Sequence, residues 1–301
     1  MLAAIPYFEL GVYNLAVPGF GNLPIDPWAT LVCIGFVLGL EVARYRAIQL
    51  GLQVKDIVDG AVVIVLSGFF VAHVFTVVFY FPERMLDADG VFSLYAAFDA
   101  IILKIWQGFA STGGFVGAIL GAMVFYNWVR PVGAWRHADI ICYGFPFGWF
   151  FGRLGCGVVH DHIGKETTFP LAMDFDRGFG PWAAGDPYVS GLRHELGLYE
   201  MAYMVPVCVL FWWLGRQDRK PGFFLGLFAV TYAPIRFVLD FLRNADLGHQ
   251  DARYLGLTPA QYGMVAMLVA GAVLLWRLRS VEFELVPLGT RSQPAEPEGG
   301  G

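Results

Sequence analysis

Charge is what this sequence has least of. Only 15% of its 301 residues are Asp, Glu, Lys or Arg, where soluble globular chains carry about 25%, and that shortage excludes a water-soluble domain. The formal net charge is -5, so the chain lacks the basic face that nucleic-acid binding requires. Cysteine is scarce too. Cys33, Cys142, Cys156 and Cys208 are scattered through apolar stretches without C-x-x-C spacing, which offers neither a disulfide framework nor a zinc motif. The segment 1–26 has no basic start and no small-residue cleavage site. It reads as a surface or interfacial element, not as a removable signal peptide.

What the chain has in abundance is apolar runs, with 57% of residues hydrophobic. Stretches of about 18 residues or more can cross a bilayer, and they fall at 27–45, 58–81, 113–129, 138–156, 196–214, 222–242 and 259–276. The pattern predicts an all-α integral membrane protein with seven transmembrane helices, one domain over 1–279, and a flexible tail at 280–301. Lys and Arg set the orientation. Arg44, Arg46, Lys55, Arg130, Arg136, Arg216, Arg219, Lys220, Arg277 and Arg279 all fall on one side. The positive-inside rule makes that side cytoplasmic and puts the N-terminus outside. Two longer connections, 82–112 and 157–195, then lie on the outer side, and the apolar part 92–106 is short enough to lie along the interface.

Against this background a buried charge is an anomaly. Arg153 sits in YGFPFGWFFGRLGCG with nothing nearby in sequence to neutralise it, and arginine at mid-bilayer costs about 2.5–3.5 kcal/mol even on lenient scales. Tyr232, Arg236, Asp240 and Arg243 follow at i, i+4, i+8 and i+11, one stripe of one helix. His194, Glu195, Tyr199, Glu200 and Gln261 fall at the same outer depth, whereas Glu41 and Asp59 fall near the inner face, where pairing with loop Arg or Lys accounts for them. Two arginines at one depth call for more anion than the helices supply. Guanidinium forks bind phosphate oxygens in bidentate fashion, so a lipid phosphate is the expected partner. The inner halves of the fourth, fifth and sixth spans carry almost no polar residues, which counts against an anion channel. His160, Asp161 and His162 alternate in a glycine-flanked loop that defines no metal geometry, so neither metal nor cofactor is expected.

The stretch GRLGCGVVHDHIGKET resembles the signature of the bacterial prolipoprotein diacylglyceryl transferases, G-R-x-G-N-F-x-N-x-E-x-x-G-x-x-T. Gly152, Arg153, Gly155, Gly164 and Thr167 match it in register. HELGLYE, with His194, Leu198, Tyr199 and Glu200, is similar to the family's H-P-x-Q-L-Y-E. GLFAVTYAPIRFVLDFLR is similar to its G-x-F-x-x-x-Y-x-x-x-R-x-x-x-E-x-x-R, and Gln261 is similarly placed at the head of the last span. The departures are specific. Cys156 and Val159 stand for two Asn, Asp161 and Asp240 for two Glu, Glu195 and Gly197 for Pro and Gln. Thr112 stands where the family places a His, and Trp28 where it places a Tyr.

The resemblance implies transfer of the diacylglyceryl group of phosphatidylglycerol to the lipobox cysteine of a secreted prolipoprotein. A thioether forms and glycerol phosphate leaves, at the outer leaflet of the bacterial inner membrane. The same fold acting on another acceptor is the alternative. Arg153 and Arg236 would hold the phosphate and stabilise its developing charge. A cationic pocket raises the thiolate fraction of the acceptor; if a base acts, the candidates are Asp161, His194 and His160, because Thr112 cannot serve. Glu200 and Asp240 would orient the arginines, and Tyr199 and Tyr232 would bond lipid oxygens. Arg243, Gln261, Gly155 and Gly164 complete the expected substrate-binding set. His162 reads as a solvated loop residue. Cys156 reads as a small replacement for Asn, with a nucleophilic thiol beside Arg153 as the other possibility.

Overall fold

The computed structural model of the protein describes residues 4–8, 10–19, 21–87, 89–104, 108–175, 189–247 and 252–283. Its long helices are α1 (Pro27–Gln49), α2 (Val54–Phe79), α4 (Ser111–Val124), α5 (Ala134–Val159), α6 (Leu196–Leu214), α7 (Phe223–Leu239) and α8 (Pro259–Arg279), with a one-turn α3 at Leu94–Phe98. Among the described residues, five segments are long and apolar enough to cross a membrane: Val54–Phe79, Ser111–Val129, Leu196–Leu214, Phe223–Leu242 and Pro259–Arg279. α1 and α5 are helices of 23 and 26 residues that pack along each other. Most of the tail expected at 280–301 lies outside the described residues.

Local chemistry sets the helix ends. Asp26 caps α1 by accepting from the Ala29 N–H at 2.8 Å, and Pro27 supplies a first helical position that needs no donor. Thr258 and Gln261 form a reciprocal capping box at the start of α8. The apolar middle of the bundle is an aromatic plug of Tyr143, Met204, Val207, Phe211, Phe224, Phe228 and Tyr232. At one end of that plug lie the basic loops. There Arg46 donates to the Gly215 carbonyl at 2.6 Å, Arg136 pairs with Asp218 at 2.7 Å, and Arg130 pairs with both Asp56 and Asp59. Glu41 pairs with Arg44 at 2.7 Å.

The other end departs from a purely helical architecture. Short strands β1 (Ile5–Pro6), β4 (Ile163–Glu166), β5 (Met173–Asp174) and β6 (Leu192–Glu195) form a sheet in the order β1-β5-β6-β4, and β2 (Tyr13–Val17) pairs with β3 (Gly21–Ile25) as an antiparallel hairpin. The all-helical expectation missed these because each strand is five residues or fewer, too short for a two-residue alternation to register. The sheet covers the ends of α5 and α6. Ile163, Met173, Phe175, Val189 and Leu247 form a small core beneath it. In the connection 82–112, Leu94 and Tyr95 of α3 are about four-fifths exposed, as an interfacial element would be.

Candidate active site

Two glycines decide how the site closes. α5 crosses the start of α6 where Gly157 meets Gly197: a Cβ on Gly197 would stand 2.7 Å from the Gly157 nitrogen. One turn back along α5 is Arg153, and one turn forward along α6 is Glu200. The close crossing therefore brings two charges together at the centre of the bundle. Arg153 Nε lies 2.8 Å from Glu200 Oε2, and both side chains are almost wholly buried.

From the third side comes α7. Its Arg236 Nε is 3.5 Å from Glu200 Oε1, while its Nη1 donates to Asp240 at 2.9 Å. Tyr232 donates to Glu200 Oε1 at 2.9 Å and accepts from Arg153 Nη2 at 3.2 Å. The two guanidinium groups thus share one carboxylate. Two arginines, Glu200 and Asp240 sum to zero charge, which corrects the expectation that the helices leave the arginines short of anion. The stripe on one helix could not count Glu200, which another helix supplies.

What the protein leaves unmet is hydrogen bonding. Neither arginine's Nε–H is aligned with an acceptor, and the buried indole N–H groups of Trp149 and Trp28 have no protein partner. Trp149 lies under the Arg153 guanidinium, 4.5 Å from its ring centroid, and faces Tyr232. Trp28 rests against Gly155, whose added Cβ would meet its ring at 3.3 Å. The Thr112 hydroxyl is likewise buried without a partner. The buried Trp149 indole N–H under Arg153 suits a ligand made of oxygens, because a buried donor without an acceptor costs about 1–3 kcal/mol.

Beyond Arg153 the chain reverses. α5 ends at His160, a non-glycine residue in left-handed backbone (φ 54°) whose N–H caps the Cys156 carbonyl. Its ring is locked there, with Nε2 2.6 Å from the Phe8 carbonyl and Nδ1 3.3 Å from Glu195. Burial disfavours charge on both partners; Glu195 more than restores it on His160, whereas the Glu195 carboxyl stays above its usual range. His160 is therefore a fixed part of the turn, and its proposed use as a base meets a side chain already committed on both nitrogens. The reversal folds the next two residues back over the helix end.

Those residues are Asp161 and His162. The Asp161 carboxylate contacts His162 Nδ1, and His162 Nε2 lies 3.4 Å from Arg153 Nη1. The solvated position expected for His162 is corrected: it is half-buried, at the arginine. Burial also opposes charge on the ring, but the Asp161 carboxylate outweighs it and lifts the imidazole to about 9. Burial pushes the Asp161 carboxyl up, and His162 and Arg153 together bring it below its usual range.

The remaining expected residues divide. His194 Nδ1 is 3.2 Å from the Tyr199 hydroxyl, which donates to the Leu171 carbonyl at 3.0 Å. Burial lowers the His194 pKa, and no bond among the described residues joins it or Tyr199 to either arginine. Gln261 is taken up by the α8 cap and by the Phe237 carbonyl at 3.2 Å. Gly164 lets β4 lie against Leu242 and His194, and it forms a backbone bridge with Arg243. Asp240, besides holding Arg236, accepts from the Thr258 hydroxyl. Sequence reasoning missed Trp149, His162 and Thr258. A Trp four residues before a buried Arg was the one available signal, since that spacing stacks the pair on a helix.

The sequence model of the prolipoprotein diacylglyceryl transferase family matches residues 16–277. The chain belongs to this family. Proteins named phosphatidylglycerol–prolipoprotein diacylglyceryl transferase are similar to it along most of their length. The Chromohalobacter salexigens protein is 30% identical over 86% of this chain and 90% of its own. The Nitratidesulfovibrio vulgaris protein (strain Miyazaki F) is 31% identical over the same shares, and that of Roseobacter denitrificans is 27% identical over 82% and 84%. The arginine pair and Tyr232 stand at the matching positions of the family pattern, while the departures are spread from Trp28 and Thr112 through Cys156, Val159 and Asp161 to Glu195, Gly197 and Asp240.

Proposed function

We propose that this diacylglyceryl transferase family member moves the diacylglyceryl group of phosphatidylglycerol onto the lipobox cysteine of a secreted prolipoprotein, forming a thioether and releasing glycerol phosphate. Seven helices would span the bacterial inner membrane. The sheet-covered end, with Arg153 and Arg236, faces the outer leaflet, and the basic loops face the cytoplasm. The observation that carries the reading is the pair of guanidinium groups on one carboxylate, with the buried Trp149 indole N–H beside them lacking an acceptor. The lipid phosphate would take up those donors. As its ester bond to the glycerol carbon breaks, charge develops on oxygens already facing fixed positive groups, which is where preorganised donors lower a barrier. The acceptor thiol approaches the same field, which favours its ionisation.

A channel finds no support in the packing. Below Tyr232 the aromatic plug fills the bundle, so anions reaching Arg153 would meet no polar path onward. The decisive experiment incubates the purified protein with phosphatidylglycerol and a lipobox peptide and reads the peptide by mass spectrometry. A gain of one diacylglyceryl mass on the cysteine is expected. An unmodified peptide, with lipid consumed or intact, would refute the assignment of acceptor.

A further inference from the structure

The end of the bundle opposite the arginine pair holds a pocket that the proposed reaction does not use. It lies between the start of α7 and the end of α8, with a volume of about 420 Å³, large enough for a small ligand or a lipid headgroup. Its walls divide by chemistry. Phe223, Leu275 and Leu278 are apolar, Arg219, Lys220 and Arg279 stand beside them, and no carboxylate joins the lining among the described residues.

The cations are held where they are. Arg136 of α5 donates from Nη1 to the Arg219 carbonyl at 2.9 Å, and Arg219 Nε donates to the Leu214 carbonyl at 3.1 Å. The Arg219 guanidinium carbon is 5.3 Å from the centre of the Phe223 ring. Lys220 reaches across to the other helix. Its Nζ donates to the Leu278 carbonyl at 2.6 Å, where the negative end of α8 favours a cation. Arg279, in the last turn of α8, is exposed, and its side chain has no hydrogen bond or ion pair among the described residues. Three positive charges thus border one space to which the protein brings no anion.

The lining selects an occupant. Cations that serve only to orient a chain in the membrane can point into water, but Arg219 and Lys220 are half-buried beside an apolar recess. What fills the recess must be negative at one end and apolar at the other. Free phosphate would leave the apolar wall wet, and an acidic peptide would leave it without a hydrocarbon partner. A phospholipid meets both demands, and basic pockets between helices at the cytoplasmic face suit anionic headgroups.

We propose that this pocket binds one anionic phospholipid from the leaflet beside the basic loops, the cytoplasmic one in the orientation proposed above. Its phosphate sits among Arg219, Lys220 and Arg279, and its first acyl methylenes lie against Phe223 and Leu275. The site is separate from the one at Arg153 and holds whichever acceptor is lipidated there. Its effect is on the helix pair. α7 and α8 meet closely midway, where a Cβ on Gly271 would stand 2.5 Å from the Ala229 Cβ, and the Thr258 hydroxyl bonds Asp240 at their far ends. A lipid joins the near ends, and so steadies the helix that carries Tyr232 and Arg236.

The test uses the full chain, delipidated in detergent and titrated with phosphatidylglycerol or phosphatidylcholine, with bound lipid counted by native mass spectrometry. Each basic residue facing an anionic headgroup contributes about fivefold in affinity. Arg219→Gln with Arg279→Gln should therefore weaken one phosphatidylglycerol equivalent about 30-fold, and Arg279→Gln alone, at an exposed position that leaves folding intact, about fivefold. Arg216→Gln with Arg277→Gln removes two cations from the same side but outside the pocket, and should bind as wild type does. Phosphatidylcholine should not distinguish the proteins. Equal phosphatidylglycerol counts in the wild type and the pocket variants would overturn the proposal; occupation by the chain's own segment 284–301, which carries more Glu than Arg, would give that result. An equal loss in the Arg216 and Arg277 control would overturn it too, by reducing the pocket to diffuse surface charge. Neither readout needs turnover, so both stand apart from the transferase assignment.

Discussion

Replacing Glu200 by Gln removes one charge from the middle of the arginine pair and almost no volume. The resting cluster of Arg153, Arg236, Glu200 and Asp240 is neutral; the variant cluster carries one uncompensated positive charge in a buried place. A charge pair at about 4 Å is worth roughly 4 kcal/mol where the effective dielectric is about 20, and orphaning one member of a buried pair costs about 3–5 kcal/mol in measured cases. The amide still accepts from Tyr232, so the loss should fall at the low end, about 3 kcal/mol. At roughly 2–4 °C per kcal/mol for a chain of this size, the melting temperature should fall by about 10 °C. The informative part is the rescue. Anionic phosphatidylglycerol supplies the missing charge, so it should stabilise Glu200→Gln more than it stabilises the wild type, while zwitterionic lipid should not discriminate. Thermal unfolding followed by tryptophan fluorescence, with each lipid in turn, measures both effects. A variant as stable as wild type, or one that phosphatidylglycerol stabilises less than it does wild type, would refute the placement of the headgroup at the two arginines.

Arg153→Lys keeps the charge but loses the fork, and kcat for peptide lipidation should drop by about 100-fold or more. Trp149→Phe keeps an aromatic face under Arg153 but deletes an N–H donor, so KM for phosphatidylglycerol should rise several-fold with little change in kcat. Gly197→Ala drives a Cβ to within 2.7 Å of backbone, whereas at Gly157 the clash is with the Leu198 side chain. Unfolding should therefore show Gly197→Ala to be destabilised by about 1–3 kcal/mol and Gly157→Ala by less. The His162 ring, lifted to about 9 by Asp161, contributes stability that is complete below about pH 6.5 and lost as pH rises through about 9. Asp161→Asn should bring its titration back toward 6.5 in nitrogen-15 NMR spectra.

The charged part of the site was legible because a charge inside an apolar run is conspicuous. Arg153, Arg236 and the Tyr232 stripe stood out for that reason, and so did Glu200 once its motif was seen. What remained hidden depends on contacts between segments far apart in the chain. Gly197 reads in line only as a departure from the family pattern, a lost Gln, and Gly157 carries no signal of its own. In space they are one contact, and each makes room for the other. His162 looked solvated because the loop around it is polar and glycine-flanked; the left-handed turn at His160, which no local residue preference announces, puts it against Arg153. Asp240, expected to orient the arginines, faces Arg236, whereas Gln261, expected to bind substrate, closes a helix cap.

The neutrality of the arginine pair matters for turnover as well as for stability. Under the proposed reaction the phosphate enters as a monoanion within a diester and leaves as a monoester that can carry a second charge. A cradle of two unpaired arginines would hold that product more tightly than the substrate, and release would limit the rate. Here Glu200 competes for the same guanidinium groups from both sides, 2.8 Å from one and 3.5 Å from the other. Binding the lipid requires loosening those contacts, which weakens ground-state affinity. Charge that appears only as the ester bond breaks still meets the full field of both arginines, and interactions confined to the transition state are the ones that raise kcat. The carboxylate then recovers its partners as the product departs. Glu200 is on this account a counter-charge that trades lipid affinity for turnover.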